Sequence, residues 1–186
     1  MKINQATVDL VKRWEGFKAE AYLCPASVWT IGYGTTSRAG IGVTVTRGMR
    51  TTEAQAEQWL RMGLEKFAAQ IRPAITAPIN ENEFGAFVSL AYNIGPSAFR
   101  GSSALRHFNA GDKASAAAAI KLWDKATING KPQVLRGLVN RREDEVMLFQ
   151  TPVTSNPVAA NPTPQTATNT LGALIRRLMA WLGGRA

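Results

Sequence analysis

Apolar positions recur first at helical spacing. In "INQATVDLVKRWEG", residues 3–16, Asn4 has the character of an N-cap, Ile3 and Val8 stand as a hydrophobic staple, and Leu10, Val11 and Trp14 form an apolar stripe. Gly16 is the expected stop. The period then changes: "WTIGYGTTSRAGIGVTV", residues 29–45, is rich in β-branched residues, aromatics and glycine, which predicts a small twisted hairpin or short antiparallel sheet. It is the only segment that reads as β. Helical spacing returns after Thr51, with a capping pair at Thr52 and Gln55, apolar positions Ala56, Leu60, Leu64, Phe67 and Ile71, and a stop at Pro73. Further helices are expected over 81–94 (Phe84, Phe87, Val88 and Ala91, closed by Gly95 and Pro96), 102–110, 112–126 and 135–150. The predicted class is α+β and mainly helical.

Patterning fails after Gln150. "TPVTSNPVAANPTPQTATNT", residues 151–170, has no charge and four prolines, and reads as an extended flexible linker between a domain of residues 1–150 and the tail. In that tail, residues 171–186, Leu171, Leu174, Ile175, Leu178 and Leu182 share one helical face and Arg176 and Arg177 lie toward the other, a short basic amphipathic helix.

Composition fits one domain with an appendage: 186 residues, 45% hydrophobic and 19% charged. The formal charge is +9; all thirteen acids precede residue 151, and three of the 22 Lys and Arg follow it, so both parts are basic. Such a field suits an anionic polymer or surface, namely nucleic acid, acidic lipid, lipopolysaccharide or bacterial wall. Without a recognisable reading motif, nucleic acid is not an expected partner. The single Cys24 excludes an intramolecular disulfide. There is no run of about 18 apolar residues and no cleavable signal pattern after Met1. The expectation is a protein made in the cytoplasm, which needs help to act beyond the inner membrane.

Glu15 is the candidate for chemistry. Hydrolysis of a glycosidic bond needs a carboxylic acid still protonated near neutral pH, because the leaving oxygen takes a proton as the transition state forms. A carboxylate at a helix C-terminus meets the negative pole of the dipole, and Trp14 and Phe17 flank it in sequence, so both desolvation and the dipole favour the protonated form. The same position also suits an ordinary surface glutamate. Glu20, after the helix break, is an available second acid or a solvated side chain.

Glu15, eight residues, Cys24, five residues and Thr30 resemble the catalytic signature of phage-type lysozymes, glycoside hydrolase family 24, where Glu, Asp or Cys, and Thr stand at this spacing. "TIGYGT" is similar to the family's Thr-Ile-Gly-x-Gly strand. "AYNIGPSAFRGSSALRHFNAGD" and "GLVNRREDEVMLF" resemble its two other signatures, so the likeness runs from about Lys2 to Phe149. It implies a two-lobed domain with the cleft between the β patch and the helical body. It also implies an endolysin that hydrolyses the β-1,4 bond between N-acetylmuramic acid and N-acetylglucosamine of peptidoglycan, as a monomer, without cofactor or metal, released through a holin pore.

By the same resemblance Glu15 is the general acid, Thr30 holds the attacking water, and Cys24 stands where many members have Asp. A thiol of pKa about 8.5 is only a few per cent thiolate at pH 7, so Cys24 is a weaker base than a carboxylate. Its other readings are a buried apolar side chain or a covalent nucleophile, the latter needing an adjacent base; His107, the only histidine, reads as a helix-surface residue. The resemblance points to Gly34, Thr36, Tyr92, Asn93, Ser102 and Ser103 as saccharide contacts, although Tyr92 also suits helix packing and both serines suit caps. Arg141 is the arginine expected to pair with Glu15, with Arg142 left in solvent beside Glu143 and Glu145. Two rivals remain open: a lytic transglycosylase, which needs one acid and no activated water, and an antibacterial that kills through the tail's binding to anionic membrane or lipopolysaccharide.

Overall fold

The computed structural model describes residues 2–128 and 130–153; the expected linker beyond 153 and the helix of 171–186 lie outside the described residues. Helix α1 (Gln5–Glu15) starts at the expected cap, where Asn4 Oδ1 accepts from the Thr7 amide at 3.0 Å and Ile3 and Val8 are buried together. Glu15 is its last residue and Gly16 closes it. The buried face is Thr7, Val8, Leu10 and Val11; Trp14 is half-buried, and its indole N–H donates to Asp144 Oδ2 at 3.0 Å.

Three antiparallel strands follow in sequence order: β1 (Lys18–Leu23), β2 (Trp29–Gly32) and β3 (Thr35–Thr36). The sheet begins earlier than the β-branched segment predicts, because β1 is mostly exposed and lacks alternation; beyond Thr36 the expected strand gives way to a 3-10 turn at Ser37–Ala39 and a loop. Helix α2 (Glu53–Ile71), capped by Thr52, then packs closely on β2. Gly32 permits that approach: its φ is +64°, and a Cβ there would stand 2.7 Å from Ala56 Cβ.

Two hydrophobic cores divide the molecule. The smaller gathers Ala21, Ile31 and Val45, with Trp59 of α2 packed on it. The larger fills the helical body around α3 (Glu81–Ile94), which is buried on nearly every side and packs against α1, α2 and α7. Phe87 of α3 meets Phe99, Phe108 and Phe149 with ring centroids 5.1, 5.1 and 5.3 Å away. The remaining helices are α4 (Pro96–Arg100), α5 (Ser103–Asn109), α6 (Lys113–Lys121) and α7 (Arg136–Gln150). The helix expected over 112–126 ends at Lys121, and a second hairpin takes its place: β4 (Lys125–Ile128) pairs with β5 (Lys131–Val134). β5 is exposed throughout and Pro132 interrupts its donor row, while β4 turns inward only the small Ala126 and, in part, Ile128, so the pair carries too short an apolar pattern to announce itself. The Asn-Gly pair at 129–130 is the signal that marks this turn. Among the described residues no helix is long and apolar enough to cross a membrane.

An ion-pair cluster ties α1 to α2 beside the acid-bearing helix end. Lys12 Nζ is 2.8 Å from Glu57 Oε2 and 5.4 Å from the Tyr33 ring centroid, while Arg61 reaches Glu57 Oε1 at 2.9 Å. The hydrogen bond from Lys12 holds the Glu57 carboxyl down at about 2, against partial burial and with help from Arg61. Because the folded value lies below the unfolded one, the stabilisation is present above about pH 4.5 and lost as the pH falls toward 2. Glu57→Gln is therefore expected to lower stability at pH 7 by about 1–2 kcal/mol. The urea midpoints of wild type and variant should converge as the pH falls through that window; a gap independent of pH would contradict the assignment.

Candidate active site

Between the sheet lobe and the helical body lies a cleft of about 540 Å³. The end of α1 brings Glu15 to it, the sheet brings Tyr22, Cys24, Thr30 and Gly34, and the last turn of α3 brings Tyr92 and Asn93. The long wall is α2, whose Trp59, Gly63, Lys66, Phe67 and Gln70 recur at helical spacing on the cleft side.

Glu15 is held from behind. Its side chain is 14% exposed, and Oε1 accepts from Arg141 Nη1 at 2.9 Å; the guanidinium is 1% exposed. The other carboxylate oxygen lies toward β3 and α3: a Cβ on Gly34, whose φ is +93°, would come within 3.9 Å of Glu15 Oε2 and 3.8 Å of the Tyr92 hydroxyl. Those are ordinary contact distances, so what calls for glycine at 34 is the positive φ of the backbone turn. Arg141 also donates Nε to Glu145 Oε1 at 3.3 Å. Burial opposes its charge, but Glu15 and Glu145 outweigh that and raise the guanidinium above its usual value.

Cys24 and Thr30 share one backbone acceptor. The β1–β2 connection is a tight turn in which the Ser27 N–H donates to Cys24 O at 2.8 Å, and Ser27 takes φ +56°. The Val28 carbonyl accepts from both the Cys24 N–H at 3.0 Å and the Thr30 hydroxyl at 3.1 Å. With its proton so engaged, Thr30 Oγ1 presents acceptor lone pairs to the cleft. Cys24 is a free thiol, half-buried.

Tyr92 packs against Phe67 with ring centroids 5.0 Å apart and the planes tilted by 58°. Burial, followed by the charge of Glu15, pushes its phenol above the usual value, so it is neutral at ordinary pH. Among the described residues no group of three or more His, Cys, Asp or Glu gathers to hold a metal.

The phage lysozyme family profile matches residues 12–145. This chain belongs to the phage lysozyme family. It is 39% identical over 150 residues to an endolysin of Acyrthosiphon pisum secondary endosymbiont phage 1, covering 81% of this chain and 99% of that protein. Among solved structures, the endolysin of Escherichia coli O157:H7 phage FAHEc1 superposes with a TM-score of 0.73 at 39% identity, over 84% of this chain and 98% of that one. The muramidase domain of SpmX from Asticaccaulis excentricus gives 0.74 at 37%, over 81% and 99%.

Within this phage lysozyme the expected site residues divide. Glu15, Cys24, Thr30, Gly34, Thr36, Tyr92 and Asn93 line the cleft, and Arg141 stands behind Glu15. Ser102 and Ser103 do not line it. Ser102 is buried as the N-cap of α5, its Oγ accepting from the Leu105 N–H at 3.2 Å, and Ser103 is the first residue of that helix. Glu20 lies on the surface with Arg50 at 3.1 Å, and His107 sits half-buried in the last turn of α5.

Arg142 is the largest departure. It is not solvated but 0% exposed, as is Glu145. Its Nη2 donates to Asn93 Oδ1 at 2.7 Å and to Glu145 Oε1 at 3.2 Å, and Ser89 Oγ donates to Glu145 Oε1 at 2.7 Å. Sequence reading also passed over the α2 wall: Phe67 packs on the core as its place in the apolar stripe predicts, but it lines the cleft as well, and the spacing of 59, 63, 66–67 and 70 was the available signal.

Arg141→Met would leave Glu15 without its counter-charge and Glu145 with Arg142 alone. It is expected to lower stability by about 3–5 kcal/mol, with Arg141→Lys recovering part of the loss. Thermal unfolding of the two variants checks this; a methionine variant as stable as wild type would mean that the pair contributes nothing to the fold.

Proposed function

We propose that this endolysin hydrolyses the β-1,4 bond between N-acetylmuramic acid and N-acetylglucosamine with Glu15 as the single general acid and a water held by Thr30 as the nucleophile. Membership of the phage lysozyme family makes it a lysozyme acting on bacterial peptidoglycan. The observation that carries the assignment of roles is the asymmetric setting of Glu15, one oxygen bound to Arg141 and the other beside Gly34 and Tyr92 on the cleft side.

The carboxyl, ion-paired with Arg141 in the resting enzyme, takes up a proton before the reaction and passes it to the glycosidic oxygen as the bond to the anomeric carbon breaks. Water adds its oxygen to that carbon, oriented through a hydrogen bond donated to Thr30 Oγ1. Threonine has no accessible charged state with which to keep the water's proton, so it positions rather than deprotonates. Cys24, anchored on the same Val28 carbonyl, assists as a polarisable acceptor, and the water's proton is released toward solvent as the new C–O bond forms.

Three side chains should then rank by role. Glu15→Gln keeps the shape but has no proton to give, and a loss of about 10²–10⁴-fold is expected. Thr30→Ala should cost more than Cys24→Ala, for which a loss of several-fold to about a hundredfold is expected. Cys24→Asp should be tolerated or faster, because a carboxylate is ionised at pH 7. Mass spectrometry of digested peptidoglycan gives the product: reducing muropeptides are expected, and 1,6-anhydro products would sink the hydrolytic reading. A well-folded but inactive Cys24→Asp enzyme would overturn the assisting role and point to chemistry that needs sulfur.

Two finer points belong to the same reading. The protein acts as a monomer and reaches the wall through a holin pore; cytoplasmic expression without a holin should leave cells intact until the membrane is permeabilised. Residues 171–186, whose sequence pairs an apolar face with Arg176 and Arg177, bind anionic membrane or lipopolysaccharide weakly. Truncation after Gln150 should leave hydrolysis of purified peptidoglycan nearly unchanged and reduce attack on intact Gram-negative cells. A truncated chain that instead loses thermal stability would show the tail to be part of the domain.

A further inference from the structure

Arg142 has no part in the acid and water chemistry, yet it is among the largest fully buried side chains of the molecule. A guanidinium taken out of water needs charge and hydrogen bonds in return. Arg142 is poorly supplied with both. Its carboxylate, Glu145, is shared with Arg141, and Arg142 Nε lies 3.0 Å from Glu145 Oε2 without the alignment of a hydrogen bond. Nη1 has no hydrogen-bond partner among the described residues. Burial accordingly pulls the guanidinium down to about 10 against the pull of Glu145, with the like charge of Arg141 adding to the fall. An apolar side chain of similar volume would fill this place without such costs.

The shortest bond that Arg142 makes leads to the cleft: Nη2 donates to Asn93 Oδ1 at 2.7 Å. Asn93 stands on the last turn of α3, beside Tyr92, and lines the cleft. A primary amide can present either its oxygen or its NH2 in a given direction, and arginine, which only donates, removes that choice. The amide oxygen is claimed by Arg142, and no described group accepts from the Asn93 Nδ2.

We propose that Arg142 is a positioning residue for substrate binding: it locks the Asn93 amide with Oδ1 toward the buried network, so that the Nδ2 protons face the cleft and bind an acceptor oxygen of an N-acetylated sugar. Glu145 thereby serves two cleft side chains, orienting through Arg141 the acid and through Arg142 a neutral donor to the glycan. The inference rests on the muramidase reading, and it adds to it a residue that touches no substrate.

The test is steady-state kinetics on purified peptidoglycan, with thermal unfolding of the same full-length proteins. Asn93→Asp places a carboxylate opposite the buried guanidinium, so the melting temperature should hold or rise. The donor is lost, and kcat/KM should fall about tenfold, mostly through KM. Arg142→Lys should lower kcat/KM similarly, but should cost nothing further in an Asn93→Ala background, because its effect passes through that amide. An Asn93→Asp enzyme with wild-type kinetics overturns the proposal, as do independent, multiplicative losses in the double variant. An Asn93→Asp chain that fails to fold overturns it too, since the buried guanidinium should welcome the charge. If Arg142→Lys does not fold, Asn93→Asp decides alone. Release of reducing ends by the wild type reports on the muramidase reading separately, so a failure at Asn93 leaves that reading standing.

Discussion

Charge balance in a nearly dry place governs this enzyme. Glu15, Arg141, Glu145 and Arg142 form an electrically neutral chain of two carboxylates and two guanidiniums, and three of the four are sealed from solvent. Removing any one member leaves a buried charge without its counterpart, a larger penalty than the worth of the pair itself. The helices that carry the chain are therefore not free to slide. α1 contributes Glu15, α7 the other three, and α3 meets them through Ser89 and Asn93. The acid at the exposed end of an eleven-residue helix is thus fixed by a residue 126 positions away.

The opposite wall of the cleft is built by different means. It rests on backbone geometry: one carbonyl, that of Val28, accepts from both the Cys24 amide and the Thr30 hydroxyl, and a glycine at 34 allows a turn of φ +93° beside Glu15 Oε2. Gly32 sets α2 against the strand that carries Thr30. The acid side is specified by long-range electrostatics, and the water side by a short turn whose parts lie within seven residues of one another. α2 spans both cores, so it carries the spacing between the two walls.

This division bears on the cysteine. A group that merely helps Thr30 orient water needs to be an acceptor at a defined place, and the β1–β2 turn supplies the place through its backbone whatever the side chain. A second carboxylate there would act as a stronger base; the thiol is softer and mostly neutral. Behind the acid there is no comparable tolerance, because the groups there are matched in charge as well as in shape.

Local signals in the chain decided the local structure. Asn4, Thr52 and Asn80 cap their helices through a side chain and an amide three residues on, a contact that sequence spacing alone can specify. Glu15, Cys24 and Thr30 lie close in the chain, on one short helix–hairpin unit, but their roles were read only from the resemblance to phage-type lysozymes, because the position of Glu15 by itself also suits a surface glutamate. The second hairpin was not legible, because β5 has no buried face to alternate and β4 buries only Ala126; its one strong signal in the residues is the Asn-Gly pair of the sequence. Ser102 suited both a cap and a sugar contact, and its hydroxyl is taken by the local cap bond to the Leu105 amide. Arg142 and Glu145, three apart on a polar helix, form the same pattern whether they face water or protein. Their burial is a property of α1 and α3 packed over them, so the helix, its caps and the acid's position came from the sequence, while the buried charge network and the orientation of Asn93 came from tertiary contact alone.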